Sequence, residues 1–185
     1  MKKQIVIIAG PGGVGKNVIY ESIIAHSSHL FERIVSYTSR PIRTGEIAGE
    51  TYHYISNAEF EKMIAKKEVF EHTRRYDYYR GMSKPIIDKI LNSGKIAIKD
   101  ADLVGVQALR KVYPGKVLAI FITADRDIVK QRLFLRGDTE KENATRLAGF
   151  DASMNDKKHF DFVVENNGTL DEAVKKVHSI ITENI

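Results

Sequence analysis

Residues 10–17 read GPGGVGKN, directly after the apolar run Ile5–Ala9 and directly before a segment with helical spacing. Strand, glycine-rich turn and helix is the setting in which a backbone can wrap an anion. Gly10, Gly12, Gly13 and Gly15, with Pro11 and Val14 between them, let successive N–H groups turn inward. Lys16 adds a positive charge at a helix N-terminus, which itself favours negative charge. The spacing G-x-x-x-x-G-K runs from Gly10 to Lys16, so the stretch reads as a cradle for nucleotide phosphates. The next position carries Asn17, where Ser or Thr is usual. Its amide oxygen can also ligate a hard cation such as magnesium, with a different reach.

Working outward, the 185 residues are enough for one domain with a sizeable core. The absence of cysteine excludes disulfides and zinc–thiolate sites, and fits a cytoplasmic setting. No apolar run nears the ~18 residues of a membrane span. The opening MKKQIVIIAG has the charge of a secretion signal, but its apolar run is short and feeds the glycine loop, so it reads as the first strand. The net charge of +5 fits nucleic acid or small phosphates. The arginines sit in short motifs and not in one basic stripe, which favours small phosphates.

The pattern predicts a strand at 4–9 and a helix at 15–27, with Val18, Ile19, Ser22 and Ile23 at helical spacing. Residues 33–56 read as a polar, turn-rich stretch. Ser56–Glu59 is a capping box that opens a helix. Aromatic-rich strands follow in 69–79, then a helix at 83–93 and a core strand at 95–100. A helix at 103–112 leads to the most apolar run, KVLAIFIT at 116–123, which reads as a strand buried on both faces. Asp125 opens a helix to Leu135. RGDTEK at 136–141 reads as a polar connector, and a helix follows at 142–154. A short strand at 162–165 precedes a last helix opened by the box Thr169–Glu172. Strands alternating with amphipathic helices imply a parallel sheet covered on both faces, with ligands beyond the carboxyl ends of the strands.

A second constellation follows the loop: SYTSRPIRTGEIAGETYHY at 36–54. Arg40 and Arg43, a proline turn apart, can clamp a phosphate with two guanidinium groups, and Tyr52 can donate to the same anion. With these residues the chain resembles the guanylate kinase family. The resemblance runs through S-x-x-T-S-R-P-x-R-x-G-E from Ser36 to Glu46, G-x-x-Y-x-Y from Gly49, Phe70-Glu71, D-A-D-x-x-G from Asp100, R-L-x-x-R-G from Arg132, Arg146-Leu147 and F-D-F-V-V from Phe160.

The resemblance implies an α/β P-loop NTPase fold of three layers: a central parallel sheet with a small mixed nucleoside-monophosphate-binding subdomain (about 36–82) and a helical lid (about 132–146). The core would take about 1–35, 83–131 and 147–185. It implies transfer of the ATP γ-phosphoryl group to GMP with Mg2+. The phosphate of GMP would be held by Arg40, Arg43 and Tyr52, with Glu46 and Arg80 beside them. Guanine would be read by Ser36 and Glu71, with Met82 at the same edge. Asp102 would lie near the acceptor, and Asp100 and Asn17 near magnesium. Lys16, Arg40, Arg132, Arg136 and Arg146 would carry the charge of transfer. The implied partners are ATP and GMP, with no nucleic acid and no membrane, the chain acting as a monomer or homodimer.

The sequence departs from the family pattern at Asn17, at Arg80 (in place of a phosphate-contacting tyrosine), at Met82 (in place of a guanine-reading hydroxyl), at Val104 (in place of a glutamine) and in a lid one residue short. These departures leave two other readings: a paralogue with a different nucleoside monophosphate as acceptor, and a binding module for phosphate or phosphopeptide without catalysis. Retention of Gly10–Lys16 and of the three lid arginines favours the enzyme.

Overall fold

A computed structural model of the chain describes residues 2–75, 77–135 and 139–185. The element order is β1 (Ile5–Ala9), α1 (Lys16–His26), β2 (Phe31–Arg33), β3 (Tyr37–Thr38), β4 (His53–Tyr54), α2 (Asn57–Ala65), β5 (Val69–Arg75), β6 (Tyr78–Ser83), α3 (Lys84–Asn92), β7 (Ile96–Asp100), α4 (Leu103–Val112), β8 (Val117–Thr123), α5 (Arg126–Leu135), α6 (Glu140–Ser153), a 3₁₀ turn (Met154–His159), β9 (Phe162–Glu165) and α7 (Leu170–Asn184).

Among the described residues nine strands form two sheets, a parallel one ordered β2-β7-β1-β8-β9 and a mixed one ordered β4-β3-β6-β5. The chain divides into two units, residues 1–28 with 98–185, and residues 29–97, the boundary falling inside β7.

In the first unit β1 pairs with β8 from Ile5↔Val117 to Ala9↔Phe121, and β8 with β9 from Ile120↔Phe162 to Thr123↔Glu165, both in parallel. All residues of β1 and β8 are buried, as expected for parallel strands covered on both faces. Each large aliphatic side chain so buried contributes about 1.5–3 kcal/mol. Helix α7 presents Ala173, Val177 and Ile181, and α1 presents Ile19, Tyr20 and Ile23, to this core. Val18, placed with them by spacing, is 53% exposed. The buried stripe of α1 runs through its neighbour Ile19, and Val18 faces the loop's cavity instead.

In the second unit β3 and β4 run parallel, while β6 pairs antiparallel with β3 and with β5. Phe60 of α2, fully buried, stacks on Tyr79 with ring centroids 5.0 Å apart. Of the other tyrosines in the aromatic-rich stretch 69–79, Tyr78 is 43% exposed and Tyr76 lies outside the described residues.

Both capping boxes read from the sequence are formed, at Ser56–Glu59 and Thr169–Glu172. A third, Thr139–Glu142, opens α6 and corrects the polar connector assigned to 136–141: from Thr139 on, the residues belong to a helix start. The signal was present as T-x-x-E, two positions earlier than the apolar spacing suggested. Likewise 33–56 holds the short strands β3 and β4 as well as turns. Their two-residue lengths leave no period to detect.

Candidate functional site

The glycine loop leaves β1 with Gly10 at φ +142°. An alanine Cβ there would lie 2.2 Å from the Ile122 carbonyl oxygen. Only glycine lets the chain turn so close to the backbone of β8. Gly15, at φ +86°, is the N-cap of α1, and Lys16 is the first residue of that helix. At Gly12 an added Cβ would meet nothing within 4 Å. That position is open on the protein side.

A cavity of about 500 Å³ opens on this loop, lined by Pro11, Gly12, Gly13, Gly15, Lys16, Asn17 and Val18 and by Arg132 and Arg146. Three cationic side chains from three helices thus meet a helix N-terminus, an arrangement suited to a polyanion. Nη1 of Arg132 is buried without a hydrogen-bond partner among the described residues. A charged donor in that state is costly unless a ligand satisfies it. Arg136, named with these two, lies outside the described residues.

The Ala101 N–H donates to the Ile8 carbonyl at 3.3 Å, which holds the Asp100–Asp102 segment beside the end of β1. Asp102 caps α4 by accepting from the Gly105 N–H at 2.9 Å, so one carboxylate oxygen already has a structural task. Among the described residues no three His, Cys, Asp or Glu side chains form a metal cage. Magnesium needs none: it takes one or two protein oxygens and fills its shell from water and substrate phosphates. Asn17 in the cavity and Asp100 at the end of β7 supply oxygen donors of that kind.

The second unit gathers the other candidates. Arg40 makes a two-pronged ion pair with Glu46, Nη1 donating to Oε2 at 2.8 Å and Nη2 to Oε1. Oε2 also accepts from the Arg43 N–H and the Tyr54 hydroxyl, each at 2.8 Å. Arg40 further lies over the rings of Tyr52, 5.3 Å to the centroid, and Tyr54, 5.8 Å. Arg80 lies over Tyr52 at 4.9 Å. Two guanidinium groups therefore share one tyrosine ring. Glu46, expected among the ligand contacts, is engaged by donors of the chain itself and orients Arg40. Arg43 is exposed.

The hydrogen bond from Arg40, helped by those from Arg43 and Tyr54 against desolvation, holds the Glu46 carboxyl down to about 2 from an ordinary 4.5. A carboxyl depressed in the folded state adds stability that is complete above its unfolded value and lost as the pH falls through the folded one. Glu46→Gln should therefore flatten the part of the melting-temperature profile between pH 4.5 and about 2 that this carboxyl accounts for. Melting curves of parent and variant across that window check this; superimposable acid limbs would mean the pairing adds nothing.

Register places Glu71 opposite Met82 and Thr73 opposite Arg80 on β5 and β6. Because side chains two apart share a strand face, Arg80, Met82 and Glu71 belong to one face. Met82 is 2% exposed and Ser36 equally buried. Sequence reading missed two contributors. Tyr54 was visible only as part of a motif, and Asn166, which donates to the Val14 carbonyl, is 152 residues away from it, with no local signal.

The profile of the guanylate kinase family matches residues 2–184. Guanylate kinase of Methylococcus capsulatus is 32% identical over 162 residues, covering 87% of this chain and 79% of its own. That of Symbiobacterium thermophilum is 33% identical over 181 residues, covering 97% and 85%. The crystal structure of guanylate kinase from Anaplasma phagocytophilum superposes with a TM-score of 0.74 at 19% identity, covering all of this chain and 87% of that one, which shows a shared fold. With a profile match across nearly its whole length, the chain belongs to the guanylate kinase family.

Proposed function

We propose that this protein transfers the γ-phosphoryl group of ATP to GMP, giving ADP and GDP, with magnesium. The carrying observation is the loop cavity in which Lys16, Arg132 and Arg146 converge on a helix N-terminus. Phosphoryl transfer asks little covalent chemistry of a protein; it asks for in-line positioning and spread positive charge. In this reading the N–H groups of Gly10–Asn17 and Lys16 hold the triphosphate. Arg132, Arg136 and Arg146 neutralise charge as the group moves. Arg40, Arg43, Tyr52 and Arg80 hold the acceptor phosphate, and Glu46 with Tyr54 keeps Arg40 aimed. Ser36 and Glu71 read guanine, the carboxylate accepting from two adjacent donors that adenine lacks. No general base is needed, because the acceptor is already a phosphate anion.

Asn17 and Asp100 would hold magnesium, which when bound would neutralise part of the phosphate charge. Asp102 contributes on the acceptor side while capping α4. The acceptor subdomain would comprise about 36–82 and the lid about 132–146, the core being about 1–35, 83–131 and 147–185. Among the described residues no helix is long and apolar enough to cross a membrane. A cytoplasmic enzyme acting as a monomer or homodimer fits this reading.

A second reading, in which the acceptor is another nucleoside monophosphate, is favoured by buried Met82, a thioether where a base-reading hydroxyl belongs. A coupled assay with ATP, magnesium and each of GMP, dGMP, AMP, UMP and CMP separates the two. The proposal expects GMP to be turned over fastest; no turnover with any of them despite ATP binding would replace it with a binding module. Met82→Ser should raise the preference for GMP over AMP roughly three- to tenfold, the value of one hydrogen bond. An unchanged ratio of kcat/KM values would mean that residue 82 does not meet the base.

A further inference from the structure

We infer that Asn166 is a positioning residue for the triphosphate site: it pins one peptide of the glycine loop so that the Gly15 N–H stays turned toward the anion. This rests on reading Gly10–Asn17 as a triphosphate cradle.

Asn166 follows β9. Its own N–H donates to the Thr123 carbonyl at 2.8 Å, which ties it to the end of β8. The residue is 4% exposed, and Nδ2 of its side chain donates to the Val14 carbonyl at 2.9 Å. In a trans peptide the C=O of one residue and the N–H of the next point in opposite directions. Holding the Val14 oxygen against Asn166 therefore directs the Gly15 N–H the other way.

Without a pin this peptide could rotate. Such a rotation turns ψ of Val14 and φ of Gly15, and Gly15, at φ +86°, has no side chain to resist on its side. Rotation would present a carbonyl oxygen to the phosphates, and the attraction would become repulsion. The fit is close on both sides: a Cβ on Gly15 would stand 2.7 Å from Asn166 Nδ2. The glycine is thus needed for the amide as well as for the turn.

The other end of the same amide argues against a packing role. Oδ1 of Asn166 is buried without a hydrogen-bond partner among the described residues. A buried unpaired acceptor destabilises the fold, so packing alone would be better served by an apolar residue of the same size. What the amide contributes is the Nδ2 donor.

The test compares the parent with Asn166→Leu and Asn166→Asp. Calorimetric titration with ATP and magnesium, without acceptor, is combined with melting temperatures and with separate KM values for ATP and GMP. ATP affinity should fall about tenfold in both variants. The KM for GMP should stay within about twofold, and Asn166→Leu should melt no lower than the parent. Asn166→Asp should regain ATP affinity relative to the parent as the pH falls from about 8 to about 5, because a protonated carboxyl can again donate to Val14.

Folded variants that bind ATP like the parent would overturn the inference. So would KM values for ATP and GMP that rise together in step with lost stability. If Asn166→Leu does not fold, Asn166→Asp, nearly identical in shape, decides by the same criteria. A parent protein that binds no ATP would remove the cradle reading itself, a different result from variants that match a parent which does bind.

Discussion

Lys16→Met is expected to lower turnover about a thousandfold while the melting temperature stays within about 2 °C of the parent. Lys16 opens α1 and lines the cavity with Arg132 and Arg146. Methionine keeps most of the apolar stem, so the helix start is little disturbed. In the proposed reading, what is lost is a positive charge beside the phosphoryl group in transit, a kind of group worth several kcal/mol. Because charge shifts most in the transition state, kcat should fall more than the KM for ATP rises. Steady-state and single-turnover rates with ATP and GMP measure both. A loss under about tenfold would show that the triphosphate is not handled by this loop.

The largest effect on stability is expected at Gly10. Its missing Cβ would occupy a point 2.2 Å from the Ile122 carbonyl oxygen, at a φ of +142°. Ile122 is main chain in the central strand β8, paired with β9, and Gly10 directly follows the last paired residue of β1, so neither can move aside cheaply. Gly10→Ala should cost about 3 kcal/mol or more, a fall of roughly 6–12 °C in melting temperature for a chain of this size. Gly12→Ala is the companion. With nothing within 4 Å of the added Cβ, it should melt like the parent yet weaken ATP binding, because the methyl group stands in the cradle. Equal melting temperatures for the two variants would refute this account of the turn.

The sequence carried the long elements well because each had a period and a boundary signal. KVLAIFIT could only be a doubly buried strand, and the boxes at Ser56 and Thr169 gave their helices a start. The start of α6 was misjudged where Thr139 was subordinated to the polar run around it. β3 and β4 were illegible because two residues cannot alternate. At the site, residues close in sequence were legible: the glycine loop, and the Arg40–Tyr52 block. Contacts between distant positions were not. The grip of Glu46 on Arg40 could be suspected, but the sharing of the Tyr52 ring by Arg40 and Arg80, and the reach of Asn166 to Val14, exist only once strands are in register. Physical type is written locally; the partner is chosen by topology.

The register of β1 on β8 has a consequence for synthesis. IVIIA is made long before the strand that pairs with one of its edges, residues 117–123. At about 5–20 residues per second, that leaves several seconds in which this edge of a fully apolar strand has no native partner. A nascent chain in that state is a natural client for a holdase, and the yield of soluble protein should depend on translation speed before it depends on the stability of the finished molecule.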